Sequence, residues 1–188
     1  MKSKVLIASL CIFASSCGSD DPITIEEISE EPDRKDIAML CDLFRERSKN
    51  APDKIAEGGF QDLVRLGVSE KGIKKAAAAR KKGRAAYVEG ISECCKAFNK
   101  EVKDLDDTQI AYVYADLVLS GITSDMLTPA QQRDARALRE YAEDNMTRPA
   151  SNTAYDVSTS LPKCTKEFRD AASRETTEAI RQIVDDYR

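Results

Sequence analysis

The sequence predicts an all-α bundle of five to six helices cross-linked by two disulfides. Three observations carry that prediction. From Asp33 onward apolar residues recur at three- and four-residue intervals, the period of a helix with one buried face. Two of the runs open on helix-start signatures. Four cysteines fall on the apolar faces of the runs, where bonds between helices form in an oxidising compartment. The composition agrees, since 188 residues, 41% hydrophobic and 33% charged, are a prior for one globular domain. His and Trp are both missing. Without His there is no Ser-His or Cys-His nucleophile pair, no imidazole base and no His-ligated zinc, copper or iron. Neither a metal nor a cofactor is expected.

The elements follow in order. Ile37, Leu40, Cys41 and Phe44 stand at i, i+3, i+4 and i+7 and give a first helix near 33–49, ended by Asn50-Ala51-Pro52. Ile55, Phe60, Leu63, Val64 and Leu66 give a second to about residue 66, weakened by Gly58-Gly59. A long helical region covers 70–102, with a kink or split expected near Gly83 or Gly90. In its last part Tyr87, Ile91, Cys94, Cys95, Phe98 and Val102 share one face. Asp106 and Gln109 then form a capping box, with Leu105 and Ile110 at the positions of a hydrophobic staple. Ile110, Val113, Tyr114, Leu117 and Val118 line one side of this fourth helix, and Gly121 fits the residue just past its end. The run is rich in strand formers, but its cap and its spacing favour helix. Thr128-Pro129-Ala130-Gln131 opens the fifth, with Pro at the first helical position. Residues 147–161, rich in Ser, Thr, Asn and Pro, are expected to form the longest loop. Pro162 to Tyr187 then make a last helix whose inner face is Cys164, Phe168, Ala172, Ile180, Ile183, Val184 and Tyr187.

The amino end has a different character. Lys2 and Lys4 precede a short apolar run, Val5 to Ala14, and small residues lead up to Cys17. This is the layout of an export signal, too short to span about 30 Å of hydrocarbon as a helix. The stretch Phe13-Ala14-Ser15-Ser16-Cys17 resembles a bacterial lipobox, with Ala14 where Leu is favoured. The resemblance covers the signal alone. It implies cleavage after residue 16 and attachment of fatty acyl chains, palmitate among them, at Cys17. Ordinary cleavage after Ala14-Ser15-Ser16 is the alternative. Cysteine parity favours the lipobox: cleavage removes Cys11 and leaves Cys17, Cys41, Cys94, Cys95 and Cys164, an odd set unless Cys17 is acylated. More than one acyl chain anchors stably. Gly18, where Asp would signal retention in the inner membrane, implies the outer membrane facing the periplasm. Residues 18–32 hold six acidic residues, no basic ones and two prolines, and read as a flexible tether that an anionic lipid surface would repel. Within it, Ile23, Ile25 and Ile28 have the means to dock on the domain as a strand or a helical turn. The chain thus divides into a signal at 1–16, an acylated Cys17 with its tether at 17–32, and one helical domain at 33–188.

The four remaining cysteines read as two disulfides. A bond between the neighbours Cys94 and Cys95 is strained, so each reaches another helix. The pairs are Cys41–Cys94 with Cys95–Cys164, or Cys41–Cys95 with Cys94–Cys164; both residues lie among the same inner side chains and the spacing does not choose. A redox pair or a four-thiolate zinc site is disfavoured by the lack of any C-x-x-C.

The segment Lys71 to Arg84 carries seven basic residues, Lys71, Lys74, Lys75, Arg80, Lys81, Lys82 and Arg84, and no acidic one. On a helix Lys71, Lys74, Lys75, Lys81 and Lys82 largely share a face, with alanines on the other. That face suits anionic lipid, a cell-wall polymer or an acidic partner, or it is simply solvated. Nucleic acid is not expected as a partner, because removing Lys2 and Lys4 with the signal leaves 27 basic residues against 33 acidic ones. Glu89 and Glu93, or Asp42 and Glu46, are carboxylate pairs at helical spacing that would serve a glycosidase only in an apolar setting.

The reading these observations favour is a non-enzymatic envelope lipoprotein, held in the membrane by its acyl chains, whose helical domain binds another envelope protein as an assembly or immunity module. The alternatives are a binder of anionic lipid or cell wall through 71–84, and a membrane-tethered cell-wall hydrolase.

Overall fold

A computed structural model describes residues 25, 27–50, 54–120 and 127–188. The signal, Cys17 and most of the tether lie outside the described residues, as do Ala51-Pro52 and Gly121. Among the described residues six α-helices make the fold: α1 Arg34–Asn50, α2 Lys54–Arg65, α3 Glu70–Glu101, α4 Asp107–Leu119, α5 Pro129–Asp144 and α6 Arg148–Tyr187. A short 3-10 turn, Val102–Asp104, joins α3 to α4. No strand occurs among the described residues. With the two disulfides described below, this is the cross-linked all-α bundle that the apolar spacing predicts.

Two long antiparallel helices form the frame. At 1.5 Å per residue, the 32 residues of α3 span about 48 Å and the 40 of α6 about 60 Å. Their register is plain in the pairs they bring together: Cys94 is bonded to Cys164, while Gly90 faces Phe168, Gly83 faces Thr176 and Gly72 faces Tyr187. Ala76, Gly83 and Gly90 recur every seven residues along this seam, the repeat that keeps one helix against another. A Cβ added at Gly90 would lie 2.3 Å from the Phe168 ring and 2.8 Å from its Cβ, so the missing side chain is what lets the backbones approach. The expected break near Gly83 or Gly90 is absent, and α3 runs through both. Those glycines serve close packing, not bending.

Cys94 and Cys95 stand about 100° apart on α3 and therefore face different neighbours. Cys94 continues the seam and bonds Cys164 of α6, with Cα atoms 5.8 Å apart; Cys95 faces α1 and bonds Cys41, with Cα atoms 5.9 Å apart. This settles the pairing that the spacing leaves open.

The main core lies where α1 and the first half of α6 pack on the last part of α3, and α4 packs on α1, α5 and α6. Ile37, Ile91, Phe98, Ile110, Val113 and Val118 are its fully buried centre. Each such side chain contributes roughly 1.5–3 kcal/mol. Helix α4 is buried almost all round, Tyr112 and Tyr114 included, which explains why its composition resembles a strand. Its capping box is present, Asp106 accepting from the Gln109 N–H and Gln109 Oε1 accepting from the Asp106 N–H. The buried Gln109 amide also donates to Ala150 O, tying α4 to the start of α6. The Thr128–Gln131 box of α5 is present as well. Arg139 of α5 lies over the Tyr112 ring, its Nη2 3.3 Å from the Tyr112 hydroxyl and its Nε 3.3 Å from Asp116.

Residues 147–161 depart from expectation: from Arg148 on they are helix and not loop, with Thr147 as the N-cap. Ala154, Val157, Ser158 and Leu161 sit at helical spacing and are buried, so tertiary packing overrides the weak propensity of the Ser- and Thr-rich run. Its hydroxyls bond back to the helix, Thr153 to Pro149 O, Ser158 to Tyr155 O and Ser160 to Val157 O.

The tether is also shorter than the composition suggests. Ile28 is buried and Ile25 packs against the core, the Ser29 N–H donates to the Tyr114 hydroxyl, and the Gln131 side-chain amide donates to Ile25 O. From Ile25 on, the described residues form an irregular strap that belongs to the domain, neither strand nor helical turn.

Two outcomes follow. Gly90→Ala lowers stability by about 1–3 kcal/mol in denaturant unfolding, and adding Phe168→Ala, which removes the obstructing ring, recovers part of that loss. Replacing Cys94 and Cys164 together by Ala opens a link spanning 70 residues and costs up to about 4 kcal/mol in the same measurement.

Candidate functional site

Beyond the core, the first half of α3 and the second half of α6 continue as a two-helix arm with α2 along its side. A second, smaller cluster holds the arm together: Leu63, Val68 and Ala76 are buried, with Phe60, Ile73, Ile180, Ile183, Val184 and Tyr187 packed against them. Helix α2 turns into α3 through a Schellman motif. Gly67 takes φ 81°, the Val68 N–H reaches Leu63 O, and the Gly67 N–H reaches Val64 O. The hydrophobic pair Leu63 and Val68 that accompanies such a motif is the centre of the small cluster. Ser69 caps α3, accepting from the Gly72 N–H, and its own N–H donates to Tyr187 O at the end of α6.

The structure divides the seven basic residues of 71–84. Lys71, Lys74, Lys75, Lys81 and Lys82 are exposed on a flank of α3 that leaves out the seam residues Ala76, Gly83 and Gly90. At 100° per residue they fall within an arc of about 120°, with Ala78 and Ala85 exposed between them. The alanines therefore lie on both sides of the helix: Ala76 is buried, while Ala78, Ala85 and Ala86 are exposed. Arg80 and Arg84 are not part of this flank. The Arg80 guanidinium lies 5.3 Å from the Phe60 ring of α2, and Arg84 Nη2 donates to Ser48 O of α1 at 3.3 Å. These two bind the arm to its neighbours.

Of the five lysines, Lys71 and Lys75 have their ammonium groups 5.9 and 4.7 Å from the Tyr187 ring. Lys74 is 2.6 Å from Glu70, an exposed pair worth little. Among the described residues, Lys81 and Lys82 have no carboxylate within ion-pair distance. Between Glu70 and Glu89 the helix carries no acidic residue. Tyr187 and Phe60 were outside the sequence-derived site; their signal was only the apolar spacing, which does not say that a cation lies over a ring.

At the root of the arm, Tyr87 is half-buried. Burial pushes its hydroxyl above its ordinary value, more than the nearby Arg169 charge and a hydrogen bond with Ser48 pull it down. Burial likewise raises Tyr114, opposed by its hydrogen bond with Ser29.

The carboxylate pairs offer no comparable setting. Asp42 lies 3.2 Å from Arg45, Glu46 3.6 Å from Lys49, and Glu93 2.7 Å from Lys96, all in exposed pairs; Glu89 is exposed too. Among the described residues no group of three or more His, Cys, Asp or Glu side chains is arranged to hold a metal. No described helix is long and apolar enough to cross a membrane. No known protein family matches the chain, nor does any curated protein or solved structure.

The raised tyrosines give a pH expectation. The unfolded chain ionises Tyr87 and Tyr114 near pH 10, before the folded one does, so this contribution to stability is complete below that pH and is lost as the pH rises above it. Unfolding followed from pH 8 to 11 therefore shows an alkaline decline that is shallower in the Tyr87→Phe, Tyr114→Phe double variant.

Proposed function

We propose that this is a non-enzymatic envelope lipoprotein, anchored through acylated Cys17, whose cross-linked helical domain binds another envelope protein as an assembly or immunity module. The observation that carries the reading is the disulfide pattern. Cys41–Cys95 and Cys94–Cys164 use every cysteine beyond the signal except Cys17, which supports both export to an oxidising compartment and a separate fate for that sulfur. A cross-linked scaffold with a helix face left uncovered by the described residues suits recognition, and the solvent-facing carboxylate pairs described above lack the apolar setting a hydrolase acid needs. The outer membrane is the address that Gly18 supports.

The exposed lysine flank favours a second reading, binding of anionic lipid or cell-wall polymer. The captured molecule separates the two. Purified from its own membranes, the native protein is expected to begin at Cys17 with acyl mass, and Cys17→Ala to leave the membrane fraction. The anchored protein is expected to retain a stoichiometric protein partner once detergent has removed lipid and enzymatic digestion has removed cell wall, whereas the second reading leaves no protein bound. Release of fragments from purified cell wall by the protein would overturn the non-enzymatic reading.

A further inference from the structure

Helix α3 presents two lines at seven-residue spacing on opposite sides, the inner one of small residues and the outer one of a lysine and two alanines. The inner line, Ala76, Gly83 and Gly90, receives α6 at close range. The outer line is Lys71, Ala78 and Ala85, bordered on one side by Lys74 and Lys81 and on the other by Lys75 and Lys82. These rows also repeat every seven residues, the period at which a packed helix keeps its contacts. All seven residues are exposed.

From this juxtaposition we infer that the outer face of α3 is the docking surface for an acidic helix of the partner protein, which lays small residues along Ala78 and Ala85 and sets carboxylates against both lysine rows. The inference rests on the protein-binding reading above and names the chemistry of the partner. Charge complementarity selects the occupant. A second copy's α3 would bring lysines against lysines. A lipid surface suits a face with large apolar side chains to insert, and this one has only alanines between its charges. Flanking charges specify which helix pairs, and small residues at the centre set how closely it approaches.

The test uses the full chain with its disulfides intact and a synthetic helical peptide of about three heptads, with alanine on its contact line and glutamate on both borders. The chain has no Trp, so a single Trp placed in the peptide reports binding by anisotropy. The expected result is saturable one-to-one binding. Lys81→Glu with Lys82→Glu, exposed positions without ion-pair partners among the described residues, weakens it at least about tenfold. Ala78→Gln, also exposed, weakens it comparably by adding bulk on the contact line, and a peptide with lysine in place of glutamate does not bind.

Binding that ignores Ala78→Gln and follows salt alone overturns the inference, leaving a non-specific polyanion patch. So does binding to vesicles containing phosphatidylglycerol that equals peptide binding and is equally indifferent to Ala78→Gln. Peptide binding as expected, with no protein retained on the anchored molecule in its own membranes, upholds the surface and overturns the broader protein-binding reading. A retained protein with no peptide binding does the reverse.

Discussion

The close contact of α3 with α6 is the constraint on which the rest of the molecule depends. It exists because the seam is made of residues with little or no side chain, so two backbones lie nearer than ordinary core packing allows. Cys94 continues the same line and turns a packing register into a covalent one. Once that register is set, Cys95 must face elsewhere, and α1 is what it meets. The arm is the stretch of the same pair that extends past the other helices, and its uncovered side follows from having the seam on the opposite one.

Much of the fold was legible because local and long-range signals agreed. The capping box at Asp106 and the Thr128-Pro129 start mark helix beginnings that the structure has at the same residues. Two misreadings came from trusting composition over period. Residues 147–161 carry loop-forming side chains, yet Ala154, Val157 and Leu161 already keep helical spacing, and burial of that stripe outweighs the propensity of its neighbours. Gly83 and Gly90 read as breakers because an isolated glycine weakens a helix; seven residues apart and in line with Ala76, they mark a contact instead. That line also points at Cys94, so the pairing was recoverable from the spacing of small residues, although not from the apolar pattern around the cysteines.

The lysine flank was legible as a face but not as a set of partners. Period alone separates Lys71, Lys74, Lys75, Lys81 and Lys82 from the seam. It does not reveal that Arg80 and Arg84 are spent on Phe60 and Ser48, because those contacts depend on where α2 and α1 lie. The strap shows the same limit. Acidic residues make it look solvated, whereas two isoleucines and two hydrogen bonds dock it beside α4 and α5.

Adjacent cysteines bonded to opposite ends of the chain have a mechanical consequence. Tension applied between the two termini enters at Cys41, passes through Cys95 and its neighbour Cys94, and leaves at Cys164. The two loops between those points carry no load. A stretched molecule would shed its strap, fray α1 as far as Cys41, and peel α6 from the arm. The closed loops would stay slack, with most of the polypeptide sheltered from the pull by four sulfur atoms.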